Sequence, residues 1–395
     1  MKTLEILFWG FIFIVFYTYI GYGILLYCLV KIKHIFRKSP NFPIPNDKDL
    51  PPLTLFIAAY NEESIIDEKM HNCLNLDYPT EKLKIFWVTD GSNDTTNEQL
   101  SHWRQATVIY QPERQGKTAA LNRGMKFVNT PFVVFTDANT FLNKESLRKI
   151  VYAFSDPQVG CVAGEKRIAV KDKDNAAAGG EGLYWKYEST LKKLDSQLYS
   201  AIGAAGELFA IRRELFEDMA TDTLLDDFVL SLRIVMRGYT IAYSSEAYAI
   251  EKSSVDMKEE EKRKVRIAAG GLQSIWRLLP LLNIFQYGCF SFQYFSHRVL
   301  RWSITPILLF LLLPINLILL FITDNSLYTI IGLLQVVFYI MGMGGYYLSK
   351  KHIKNKLLFI PYYFLFMNIN VIKGFHYLYK RKNKEWGSWE KSQRA

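Results

Sequence analysis

LTLFIAAYNEE (53–63), LKIFWVTDGSND (83–94) and FVVFTDAN (132–139) share one design: a short run rich in Ile, Val, Phe and Trp that stops at carboxylates. A fourth run, TLLDDF (223–228), ends the same way. The first three read as buried parallel strands, because strands covered on both faces are apolar throughout rather than alternating. In an open α/β sheet, ligands gather at the carboxyl ends of such strands. Acids collected there suit a divalent metal and a phosphorylated substrate.

Between these runs the pattern alternates. Helix-like ESIIDEKMHNCLNL (63–76), a polar helix near 95–104, strand-like TVIY (107–110) and a helix near 117–127 complete βαβ units, which implies a mostly parallel sheet. From 140 to 270 helices are expected to dominate, including EGLYWKYESTLKKLDSQL (181–198).

Outside that middle the composition changes. Half of the 395 residues are apolar, yet the charges concentrate in the middle and leave the ends nearly uncharged. Residues 6–30 contain no charge and are long enough for a tilted span. The run ends in bulky residues followed by KIKHIFRK (31–38), which fits a retained anchor better than a cleaved leader. That basic flank predicts a cytoplasmic location for the domain that follows. Residues 303–322 and 327–347 are two further candidate spans, and 357–372 is a shorter third with two Asn. GLQSIWRLLPLLNIF (271–285) suits an interfacial helix.

The net charge of +10 sits largely in KIKHIFRK, SKKHIKNK (349–356) and YKRKNK (379–384), each beside an apolar segment. This is the pattern of contact with anionic lipid. No basic stripe interleaved with aromatics marks the middle, so nucleic acid is not an expected partner. The four cysteines have no metal or disulfide-framework spacing, and the six histidines form no HExxH pair.

The polar motifs carry the chemistry. Asp137 and Asn139 stand at i and i+2 after a strand, where both reach one Mg²⁺ or Mn²⁺; a turn-capping Asp/Asn pair is the competing reading. Asp90 opens a DGSND turn and is placed for contact with a base or ribose. RQGKTAALN (114–122) contains GKT, but a P-loop needs Gly at position 111 and the residue is Gln111. Lys117 at a helix start is placed to neutralise a diphosphate, with a merely solvated lysine as the competing reading. Asp226 and Asp227, two adjacent acids in apolar surroundings, supply a general base with a raised pKa, or Asp226 simply caps a helix. Arg263 and Arg266 lie one helical turn apart, as a cationic clamp or as surface charge.

In this order, NEE, DGS, GK, D-x-N, DD and R-x-x-R before apolar helices, the chain resembles the membrane-integrated family 2 glycosyltransferases, which include cellulose, hyaluronan and poly-N-acetylglucosamine synthases. The resemblance covers roughly residues 50–305. It implies an α/β fold of GT-A type, a Rossmann-like nucleotide-binding half joined to an acceptor-binding half, flanked by transmembrane helices. It also implies inverting transfer from a nucleotide sugar, UDP-linked, to a saccharide or lipid-linked acceptor in the bilayer of the inner or plasma membrane. By matching motif, Tyr60, Glu62 and Asp90 would bind the nucleoside, and Lys117 the diphosphate. Asp137 and Asn139 would hold Mg²⁺ or Mn²⁺, and Asp227 would be the base. Arg263 and Arg266 fall where the family carries QxxRW; here it reads Arg263-Lys-Val-Arg266-Ile267, without Gln or Trp, which puts long-chain synthesis in doubt. Asp226, Tyr184 and Trp185 are candidates for the acceptor side. A single-sugar transferase and a catalytically silent export subunit remain alternatives. The expected division is a span at 1–30, a basic, Pro-rich linker at 31–52, the catalytic domain at 53–270, interfacial helices at 271–302, spans at 303–378 and a basic tail at 379–395.

Overall fold

A computed structural model describes residues 2–36, 42–43, 45–169, 176–252, 256–351, 353 and 355–381, with side chains left aside at 176–184, 356 and 381. The linker's Pro40, the end of the basic tail from 382, and the side chain of Tyr184 lie outside the described residues. The chain divides into two compact units: Met1–Leu29, Lys171–Tyr184 and Ser254–Lys382 form one, and Val30–Val170, Trp185–Ser253 and Asn383–Ala395 the other.

The second unit is built on one mixed sheet. Its strands in chain order are β1 (Leu53–Ala59), β2 (Leu83–Asp90), β3 (Ala106–Gln111), β4 (Phe132–Asp137), β5 (Thr140–Leu142), β6 (Val159–Ile168), β7 (Phe209–Arg212) and β8 (Thr240–Glu251). They lie in the order β3-β2-β1-β4-β7-β6-β8-β5. β1 to β4 are parallel, with Ala58 level with Val88 and Asp137, so the acidic ends of β1, β2 and β4 finish side by side. β7 runs antiparallel to both β4 and β6, whereas β6 and β8 are parallel. Between 140 and 270 helices hold more of the described residues than strands, as expected, but four strands of the sheet fall there as well. Leu53, Leu55, Ile57, Met70, Trp87, Val134, Leu147 and Ile150 form the core on one face. Each large side chain fully buried there stabilises the fold by roughly 1.5–3 kcal/mol. On the opposite face the helix Lys117–Met125 is pressed close: a Cβ at Gly124 would lie 2.5 Å from Phe56 and from Val88. That contact fixes the axis carrying Lys117.

In the first unit, four helices are long and apolar enough to cross a membrane: Lys2–Phe36, Ile304–Ile322, Ser326–Lys350 and Leu357–Lys380. The last is thus longer than the 357–372 segment read from composition. A π-helical turn, Tyr17–Gly21, interrupts the first helix. Its residues bond three different segments: Tyr17 Oη with Ser296 Oγ (2.8 Å), Thr18 Oγ1 with Thr305 Oγ1 (3.0 Å), and Tyr19 Oη with Asn368 Oδ1. The stretch 271–285 is not one interfacial helix. Its first half ends the helix Met257–Arg277, and Pro280 then starts a 3₁₀ turn, Leu279–Leu282. Proline supplies a helix start but lacks the N–H needed to continue one.

Candidate active site

Two acidic loops build one wall of the site by clasping each other. After β1, Asn61 adopts a left-handed φ of 53°, a conformation Asn tolerates better than other side chains. Its side chain donates to Asn93 Oδ1 (2.7 Å) and accepts from the Asn93 amide (3.0 Å). The amides of Asn61, Glu62 and Glu63 donate to Ser92 Oγ, Thr96 Oγ1 and Asp94 Oδ2, and Glu63 Oε2 accepts from Thr95 twice. NEE and DGSND therefore form one lip. Beside it the Arg114 guanidinium lies 3.6 Å from the centre of the Tyr60 ring.

Asp90, 4% exposed, turns inward. Its Oδ2 accepts from the amides of Gln115 (3.0 Å) and Gly116 (2.6 Å), and Arg123 reaches Oδ1 at 3.3 Å. The carboxylate thus shapes the loop that delivers Lys117.

Lys117 begins its helix and ends among acids. Its Nζ lies 2.7 Å from Asp137 Oδ1 and 3.8 Å from Asp226 Oδ2. The helix Asp226–Met236 starts with both acids of the DD pair, where the helix dipole favours negative charge. Gly206, in a loop that sequence reading passed over, supplies the centre. A methyl carbon on it would lie 3.2 Å from Lys117 Nζ, 3.4 Å from Asp227 Oδ2 and 3.6 Å from Asp137 Oδ2. Three charged groups converge on one point, and only a glycine leaves that point open. A small pocket opens there, lined among others by Lys117, Asp137, Gly206 and Asp226.

The electrostatics follow from burial and from neighbours. Burial alone would lower the Lys117 pKa; Asp137, Asp226 and Asp227 outweigh it and hold the ammonium well above its usual value. For Asp227, burial foremost and Asp226 next push the carboxyl up to about 7, against Lys117 and the Phe228 amide. Asp226 Oδ2 is buried without a hydrogen-bond partner.

Beneath the Asp137–Asn139 turn, fully buried Lys69 donates to Asp137 O (3.0 Å), Thr140 O (2.6 Å) and Thr136 Oγ1 (3.2 Å). Thr136 Oγ1 in turn donates to Glu207 O at 2.9 Å, tying the turn to the Gly206 loop. Burial drives the Lys69 ammonium down to about 8. Lys166, buried on β6, pairs with Glu207 (2.6 Å) and Glu251, and lies 4.9 Å from the Trp185 ring centre. Trp185 is thus engaged with a buried ion cluster. Among the described residues, no three His, Cys, Asp or Glu side chains gather as a ready metal set.

Arg263 and Arg266 lie on the helix Met257–Arg277, in the other unit. Arg263 is 5% exposed and forks onto Glu260, with Nη2 to Oε2 at 2.9 Å; Lys264 and Tyr363 reach the same carboxylate. Lys69, Lys166 and Gly206 carried no readable signal, since each lies in a segment without a motif of its own, and Arg114 opens the RQGKTAALN stretch whose signal was its lysine.

Residues 54–220 match the family model described as Glycosyl transferase family 2. The chain is 27% identical over 276 residues to the poly-beta-1,6-N-acetyl-D-glucosamine synthase of Staphylococcus aureus strain COL, covering 67% of this chain and 65% of the relative. It is also 27% identical over 273 residues to the probable glycosyltransferase YdaM of Bacillus subtilis, covering 63% and 64%. The chain thus spans just under two thirds of the length of these relatives. Among solved structures, the mannosyltransferase PcManGT of Pyrobaculum calidifontis, in complex with GDP-Man and Mn²⁺, superposes with a TM-score of 0.70 at 21% identity, covering 96% of this chain and all of that one. The fold is GT-A.

Proposed function

We propose that this chain, which carries a family 2 glycosyltransferase domain over residues 54–220, is a membrane-bound inverting transferase that moves a sugar from a UDP-sugar to a saccharide or lipid-linked acceptor. The observation that supports this best is the convergence of Lys117, Asp137 and Asp227 around Gly206. A cation for the leaving group, a carboxylate for a metal and a base of raised pKa meet at the carboxyl ends of parallel strands. Tyr60 and Glu62 would face the nucleoside, and Asp90, turned onto the Gln115 and Gly116 amides, would hold the wall behind them.

In this reading Asp227 takes the proton from the acceptor hydroxyl as that oxygen bonds to the anomeric carbon. The bond from that carbon to the phosphate oxygen breaks, and the diphosphate leaves with the electron pair. Lys117, with the dipole of its helix, stabilises the departing charge. The donors present fit a hard cation: Asp137 and Asn139 offer oxygen ligands, and Asp226 Oδ2 is a buried carboxylate oxygen without a hydrogen bond. Asp137 and Asn139 would hold Mg²⁺ or Mn²⁺, whose contribution when bound is to neutralise charge on the diphosphate. The catalytic domain faces the cytoplasm, following the basic flank of the first helix. The test is nucleoside diphosphate release by the purified chain over a panel of UDP- and GDP-sugars. Release from one UDP-sugar supports the reading, and no release from any donor overturns it.

One observation favours a short product over a long polymer. Arg263 is committed to Glu260, and the tryptophan of the QxxRW pattern is replaced by Ile267. Mass spectrometry of the product separates one added sugar from a ladder.

A further inference from the structure

The cation at the centre of the cluster is a lysine. Its Nζ touches Asp137 Oδ1 at 2.7 Å and faces Asp226 Oδ2 at 3.8 Å, with Asp227 Oδ2 and Asp137 Oδ2 around the same point beside Gly206. Asp137 and Asp226 both face one ammonium, so even without Asp227 the cluster has more negative charge than this lysine neutralises. The mismatch is also geometric. Asp226 is 9% exposed, and its Oδ2 is buried without a hydrogen bond, too far from the ammonium for one. A buried carboxylate oxygen in that state is costly unless something else binds it. A divalent cation takes six or more oxygen ligands and doubles the positive charge, which suits the vacant oxygen better than an ammonium does. Lys117 is also able to leave. Its side chain is 40% exposed and flexible, and the helix start that carries it is fixed separately, through Asp90 and the close packing at Gly124.

We propose that Lys117 is a placeholder: in the donor-free chain its ammonium occupies the divalent-cation position between Asp137 and Asp226, and it gives up that position when cation and diphosphate arrive together. Asp226 thereby becomes a cation-facing residue rather than a helix cap or an acceptor contact. This rests on the transferase reading above and adds a built-in order to it. Metal alone competes with the lysine and binds weakly, whereas a donor diphosphate offers the ammonium a new partner and releases the carboxylates.

The experiment uses the full chain in detergent with Mn²⁺ as the only added ligand, following the free-ion signal by electron paramagnetic resonance. Removing the lysine's charge is expected to tighten Mn²⁺ binding: Lys117→Met lowers the apparent Kd by about tenfold or more, while Lys117→Arg, which keeps the charge, stays near wild type. Adding Asp226→Asn to Lys117→Met returns affinity to wild type or below. Lys117→Gln gives a second measurement should the Met variant fail to fold, with melting curves confirming the fold of whichever is used. Unchanged or weaker Mn²⁺ binding in the neutral variants overturns the placeholder, and a gain that survives Asp226→Asn removes Asp226 from it. Wild-type nucleotide release without any such gain discards the placeholder alone. A gain in a chain that turns over no nucleotide sugar discards the transferase reading instead.

Discussion

The cluster around Gly206, partly open to solvent, and the cluster around Glu260, buried, both assemble opposite charges, and they differ in ratio. Around Gly206 three carboxylates face one lysine, and an oxygen of Asp226 is left without a hydrogen bond. Around Glu260 one carboxylate takes the forked Arg263, Lys264 and the Tyr363 hydroxyl, and its side chain is fully covered. The first has acceptor capacity to spare, whereas the second saturates its single acid. Surplus of unmatched lone pairs at an accessible strand end marks chemistry; saturation marks architecture. The rule explains why the two lysine- and arginine-bearing motifs, equally suggestive in sequence, fare differently in three dimensions.

The comparison is broken most directly at its acids. Asp227→Asn is expected to lower turnover by about 10²–10⁴, measured as nucleoside diphosphate release from folded protein. The pH profile sharpens this. With the carboxyl pushed up to about 7, the base is protonated below that pH, so wild-type kcat/KM should fall about tenfold per pH unit on the acid side. Stability runs the other way. A folded-state pKa above the usual 3.8 stabilises the fold fully below that value and loses this contribution as pH rises through about 7. Asp227→Asn should therefore be inactive yet melt higher than wild type at pH 8.

Glu260→Gln tests the saturated cluster and should lose about 3–5 kcal/mol of stability, because it removes the buried carboxylate that Arg263 and Lys264 share. Detergent-solubilised melting curves read that loss, and a variant as stable as wild type would show the cluster to be dispensable. The smallest effect is expected at Gly206→Ala. Its methyl enters a space bounded at 3.2–3.6 Å by Lys117, Asp227 and Asp137. Turnover should drop by roughly tenfold with little change in melting. Unchanged turnover would mean the open point beside Gly206 is unused.

How much of this was legible beforehand follows from what each segment had to satisfy. β1, β2 and β4 announced themselves because both faces are buried and their residues are almost wholly apolar; the strands fall at 53–59, 83–90 and 132–137, close to where the runs of letters place them. β6 and β8 hid because their constraints are local. VGCVAGEKRI needs glycine where a Cβ at Gly160 or Gly164 would strike Ile234 or Leu208, and it carries Lys166, which is neutralised by Glu207 and Glu251 from segments distant in the chain. TIAYSSEAYAIE is short of large apolar side chains for the same sheet. The site was legible as residue types at strand ends. Its centre was not, since a glycine marks an absence that only the surrounding side chains define. Nor does sequence reveal that Asp90 faces its own loop, because that depends on two backbone amides 25 and 26 residues away in the chain.

The clasp between the NEE and DGSND loops carries a consequence for how variants of this lip combine. Asn61 and Asn93 bond each other reciprocally, and neighbouring bonds join 61–63 to 92–96. Substituting Asn61 removes both bonds, whereas substituting Asn93 removes only the one its side chain accepts, because the other is donated by its backbone amide; once Asn61 is changed, a change at Asn93 has little left to lose. Their effects on the stability of this lip are therefore sub-additive, with a coupling of about 0.5–3 kcal/mol in a double-mutant cycle. Residues 61 and 93 thus behave as one structural unit of this lip.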